Sequence, residues 1–181
     1  LLEDIASRFQ RLREGGIATL AELRQRLKNA KRLALLASAT GIDETYLVLL
    51  RREIEGYFPR PFPLEAFGWL PEKARVKLTA AGYTSTPKLY DALGTAEQRA
   101  QASHALGIES ELLDELFALV SLTRIRWTNP AVARVLHAAG YISPREIAIA
   151  DAEALCAAFE RTNRARECFR GKLGVRDGRR L

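Results

Sequence analysis

The sequence predicts an all-α protein built as a tandem array of short helices. Three observations carry that expectation. Glycines recur at a fixed interval: Gly16 and Gly82 are 66 residues apart, and so are Gly41 and Gly107. Helix-start signals are dense, with capping boxes at Thr19 to Glu22 and at Thr95 to Gln98. No stretch sustains the alternation of apolar and polar residues that a half-buried strand requires.

Taken in order, residues 2–14 place Ile5, Phe9 and Leu12 at helical spacing and stop at Gly15-Gly16. Thr19 opens a helix expected to bury Leu20, Leu23 and Leu27. Lys31 to Ala39 forms a short helix ended near Gly41, and Asp43 caps the next, with Tyr46, Leu47, Leu50 and Ile54 on one face. Gly56 to Pro63 carries three prolines within five residues and cannot be helical; a strap packed over a groove is favoured over an exposed aromatic loop. Leu64 to Gly68 makes one turn, and Pro71 fits the first position of the following helix, where its missing N–H costs nothing. Thr86-Pro87, Asn129-Pro130 and Ser143-Pro144 repeat a cap-then-proline device. Glu109 to Leu122 is amphipathic, with Leu112, Leu113, Leu116, Phe117 and Val120 inward, and helices over 143–150 and 151–160 follow.

The glycines define units. Gly16, Gly82 and Gly140 each follow one helical run and precede another, where a residue with φ > 0 ends a helix. Trp69 and Trp127 each stand 13 positions before such a glycine, and both intervening helices end in Ala-Ala-Gly-Tyr. The expected organisation is the end of a first hairpin unit at 1–15, a repeat at 16–81 with the Phe/Pro-rich insertion, a second at 82–139, and a partial third at 140–181 with a basic C-terminal end. Trp at repeat spacing more often fills a core, so an inside position is favoured for both Trp side chains over an exposed ring that stacks on a base or a partner side chain.

The segment Arg124-Ile125-Arg126-Trp127-Thr128-Asn129-Pro130, with Ala133 to Tyr141 after it, resembles the hairpin Arg-Ile-x-Gly-Val-Gly-Pro-x-x-Ala-x-x-Leu of helix-hairpin-helix proteins. Leu64 to Tyr83 is the other copy. The likeness is closest to an uncharacterised tandem family known as a domain of unknown function, and it extends to about residue 166. It implies tandem helix-hairpin-helix-like repeats and backbone contacts to nucleic acid. The hairpin glycines are replaced, by Trp69 and Trp127 at the first position and by Pro71 and Asn129 at the second. In DNA-binding members those glycines let backbone N–H groups approach a phosphate.

Composition bounds the partners. Of 181 residues, 48% are hydrophobic, which is globular, and no apolar run reaches the roughly 18 residues of a membrane span. No signal peptide is expected, and a chain starting at Leu1 with no Met is expected to be a fragment or a renumbered stretch. Cys156 and Cys168 suit two reduced thiols in a cytoplasmic protein, since they match neither a zinc pattern nor a disulfide framework. The net charge of +6 sits at one end: residues 161–181 hold eight basic and two acidic side chains, and the other 160 residues hold 20 of each. Such an end attracts phosphates or serves as a solvated face.

No phosphate-cradling glycine loop, metal-ligand spacing or nucleophile-base pair is present, so no enzyme, cofactor or metal is expected. His104 and His137 lie on different helices, and the adjacent acidic pairs Glu3-Asp4, Asp43-Glu44 and Asp114-Glu115 diverge on a helix by about 100°. The favoured expectation is a non-catalytic module that binds the backbone of duplex DNA without sequence specificity. Lys73, Arg124, Arg126 and Asn129 at the hairpins would carry it, with Arg164, Arg166, Arg170 and Lys172 at the basic end. Asn129 should cap the helix begun by Pro130, with Arg124 and Arg126 flanking that helix start and Trp127 turned inward. The alternative is a protein-interaction scaffold whose hairpins have lost phosphate binding.

Overall fold

A computed structural model describes residues 4–179 and 181; what was expected of Leu1 to Glu3 and of Arg180 lies outside them. Among the described residues the elements are twelve α-helices and one 3-10 turn, with no strand, so the fold is all-α. The chain divides into two compact units, one ending at Phe58 and one beginning at Pro59.

The first unit holds α1 (Ile5–Glu14), α2 (Leu20–Arg26), α3 (Ala30–Thr40) and α4 (Glu44–Glu55). Its helix starts are set by side chains. Thr19 Oγ1 accepts the Glu22 N–H at 3.2 Å, and the Glu22 carboxylate accepts the N–H groups of Thr19 and Ala18 at 3.0 and 2.8 Å. Asn29 caps α3 and Asp43 caps α4 in the same manner, each at 3.0 Å. α4 packs on α2 and α3, and the core they close is Leu12, Leu23, Leu27, Leu33, Leu36, Leu47 and Ile54. Leu20, expected inside, is instead 47% exposed; it is the first residue of a seven-residue helix, a turn out from buried Leu23.

The second unit opens with the 3-10 turn Leu64–Ala66 and continues through α5 (Glu72–Ala80), α6 (Thr86–Ala92), α7 (Ala96–Leu106), α8 (Ser110–Leu122), α9 (Pro130–Ala138), α10 (Pro144–Ile149), α11 (Ala152–Arg166) and α12 (Val175–Gly178). α8 is its central element. It packs on α6, α7 and α9 and buries Leu113, Leu116, Leu119, Val120 and Leu122. α9 adds Val132, Ala133, Val135 and Leu136 and also packs on α11.

Helix endings recur in detail. At Gly16, Gly82 and Gly140 the backbone takes φ of 78°, 86° and 98°. Each glycine N–H bonds the carbonyl three residues back (Arg13, Thr79, His137), and the next N–H bonds the carbonyl five back (Leu12, Leu78, Leu136), all at 2.9–3.0 Å. These bonds satisfy carbonyls that a helix end leaves open. The three leucines are buried. Gly41 and Gly107 end α3 and α7 in the left-handed region, and their carbonyls accept from Arg11 Nη1 and Lys77 Nζ at 3.0 and 2.7 Å. Arg11 and Lys77 are themselves 66 residues apart.

Several local expectations are corrected. Helix α5 begins at Glu72 with Pro71 as its N-cap, one residue later than expected. Thr86 does not cap α6: Ser85 stands at the N-cap without a side-chain bond, and Thr86 is buried within the first turn. Its Oγ1 accepts the Phe62 N–H at 3.0 Å, its own N–H bonds the Phe62 carbonyl at 2.9 Å, and Leu64 N–H bonds the Thr84 carbonyl. The proline-rich stretch is therefore divided. Phe58 packs into the first unit under Arg24, Phe62 is tied to the second, and Tyr57 is 66% exposed. α11 also runs past residue 160, to Arg166.

Candidate functional site

The hairpin between α8 and α9 is built by local bonding. Arg124 N–H and Ile125 N–H bond the carbonyls of Ser121 and Leu122, which winds α8 into a turn, and Thr128 N–H bonds the Ile125 carbonyl. Asn129 then caps α9, its Oδ1 accepting the Val132 N–H at 2.9 Å, with Pro130 as first residue. That is the expected cap.

Trp127 corrects the expectation placed on it. It is 56% exposed, not inside, and its φ is 63°. The turn needs a left-handed residue, a backbone that glycine takes freely, and Trp supplies it at a conformational cost. With that backbone the side chain leaves the core, and the Arg126 guanidinium lies over its ring, 4.3 Å from the centroid. Trp69, by contrast, is half-buried: it packs on the core, meets Phe67 edge to face at 5.4 Å, and is covered by Arg134 of α9 at 4.8 Å.

Arg124 and Arg126 each lie over a different ring. The Arg124 guanidinium stacks on Tyr90 of α6, 3.9 Å from the centroid, and Tyr90 stacks in turn on Phe117 of α8. Arg124 thereby lines a cavity of about 330 Å³ with Arg60, Thr86, Pro87, Tyr90 and Asp91. Lys73 is exposed in the first turn of α5, and among the described residues no hydrogen bond, ion pair or ring contact joins it to either arginine. Tyr90 and Arg134 had no local signal in the sequence, because their partners lie far along the chain.

The basic end is a folded segment. Glu167 ends α11 at φ 50°, and Asn163 holds the returning chain by accepting the Phe169 N–H at 2.9 Å and donating to its carbonyl at 2.7 Å. Phe169 meets Phe159 edge to face, and α12 packs on α11. Arg164, Arg166, Arg170 and Lys172 are all exposed on this segment, and Lys172 and Arg164 share a shallow depression of about 160 Å³. Cys156 and Cys168 are free, and burial pushes the Cys156 thiol up, away from thiolate character. Among the described residues no group of three or more His, Cys, Asp or Glu could hold a metal ion, and no helix is long and apolar enough to cross a membrane.

The family model described as "Domain of unknown function (DUF4332)" matches residues 70–173. No curated protein and no solved structure matches the chain.

Proposed function

The chain belongs to the DUF4332 family, and from that premise we propose that it is a non-catalytic nucleic-acid-binding module of helix-hairpin-helix-like repeats. The observation that carries the proposal is the α8–α9 hairpin, where an exposed indole and a stacked guanidinium stand together at a helix start. An exposed aromatic offers a face on which a base stacks, and arginine supplies charge for the backbone. Stacking needs a base out of its helix, so the hairpin favours single strands or strand ends over the intact duplex that the sequence suggested. The exposed cations of the C-terminal segment add attraction that is indifferent to sequence.

A protein partner is the second reading. It is favoured by the charge balance, since residues 1–160 hold 20 basic and 20 acidic side chains, and by the enrichment of Trp and Arg at protein interfaces. Titration of labelled single-stranded and duplex oligonucleotides at two salt concentrations separates the two. Nucleic-acid binding predicts steep loss of affinity with salt, preference for the single strand, and about a tenfold loss in Trp127→Ala. Absent or salt-indifferent binding would leave the protein-partner reading.

A further inference from the structure

We infer that the cavity between α6 and the end of α8 is a binding site for a phosphate group carried on a nucleotide. Two arginines, Arg60 and Arg124, line it. Among the described residues neither makes a hydrogen bond or an ion pair; each meets only an aromatic ring, Phe62 at 5.9 Å and Tyr90 at 3.9 Å. Their N–H donors are thus unspent. Arg124 is also preorganised: Tyr90 beneath it is held by its stack on Phe117, so little rotamer freedom is lost when the guanidinium takes a ligand. Thr86 adds a third donor. Its oxygen accepts from Phe62, which leaves its own proton for the cavity it lines.

Asp91 is the one carboxylate among the lining residues, and no ion pair joins it to either arginine. The walls therefore carry a surplus of positive charge, which selects an anion. Guanidinium forks match phosphate oxygens in geometry. Pro87 supplies an apolar wall, and about 330 Å³ is the size of a small-molecule site, so the phosphate's carrier has room for a flat ring. The carrier is a free nucleotide or the end of a strand; both present the same monoester.

The test uses the full chain with inorganic phosphate, a nucleoside monophosphate, and a single-stranded oligonucleotide with or without a 5′-phosphate, followed by calorimetry at fixed ionic strength. The monophosphate should bind more tightly than inorganic phosphate. Arg60→Ala should weaken it about 5-fold, and Asp91→Asn should tighten it about 2-fold by removing a like charge. A merely structural Asp91 would not produce that gain. Tighter binding of the 5′-phosphorylated oligonucleotide marks a strand end as the carrier; equal binding of both oligonucleotides with retained monophosphate binding marks the free nucleotide. No saturable binding of phosphate or monophosphate, or binding indifferent to Arg60 and Asp91, overturns the inference. It stands apart from the hairpin reading, because oligonucleotide binding lost in Trp127→Ala but kept in Arg60→Ala supports the hairpin alone.

Discussion

Trp127 holds a left-handed backbone, φ 63°, that non-glycine residues pay about 1–2 kcal/mol to adopt. Trp127→Gly should therefore be more stable than Trp127→Ala by roughly 1 kcal/mol; urea unfolding of the two variants measures it, and equal midpoints would mean the turn carries no such strain. Both variants lose the stack with Arg126, so the comparison isolates the backbone. The site was only partly legible at this scale. Asn129 as the cap of α9 follows from local spacing, because a cap and its N–H are three residues apart. The fate of Arg124 does not, because Tyr90, its partner, is 34 positions away in sequence and arrives only when α6 packs on α8.

At the scale of elements, the tie between α2 and α4 has a pH signature. Arg24 bonds Glu55 through both oxygens, Nε to Oε1 at 2.9 Å and Nη2 to Oε2 at 2.8 Å. That guanidinium holds the Glu55 carboxyl below its ordinary value of 4.5. A lowered folded-state pKa means that the unfolded chain binds the proton more readily. The tie thus stabilises the unit above pH 4.5 and fades as pH falls through the lower folded value. Both side chains are 40–47% exposed, so solvent screening keeps the contribution to about 0.5 kcal/mol. Glu55→Gln should lose that much at pH 7 and nothing at about pH 2, well below the carboxylate range. Denaturant curves at the two pH values check it, and a deficit that persists in acid would assign the loss to packing.

For the whole molecule, the basic end is both charge and structure. Removing residues 161–181 would strip Phe169, and the Asn163 bonds that hold it, from Phe159, which is 1% exposed. Deletion is therefore expected to destabilise the second unit as well as weaken any nucleic-acid binding. Replacing the exposed Arg164, Arg166, Arg170 and Lys172 with Gln should spare the fold and flatten the salt slope by about 0.7 for each single-strand phosphate that is no longer neutralised. Circular dichroism melts and titrations at two salt concentrations distinguish charge from scaffold. An unchanged slope in the Gln variant would remove the segment from the interface.

What the sequence determined by itself is what depends on neighbours along the chain. The all-α class, the caps at Thr19, Asn129 and Ser143, and the left-handed glycines at Gly16, Gly82 and Gly140 are all fixed by bonds spanning two to five residues. Tertiary structure alone decided which of two similarly spaced Trp residues is covered. Trp69 has Phe67 and Arg134 against it, whereas the left-handed turn at Trp127 carries its ring away from the core. It also made Thr86 an anchor for Phe62, and it folded the basic end onto α11. The physical reason is the same in each case: burial and ring stacking depend on what packing brings near, and that distance is not written in residue spacing.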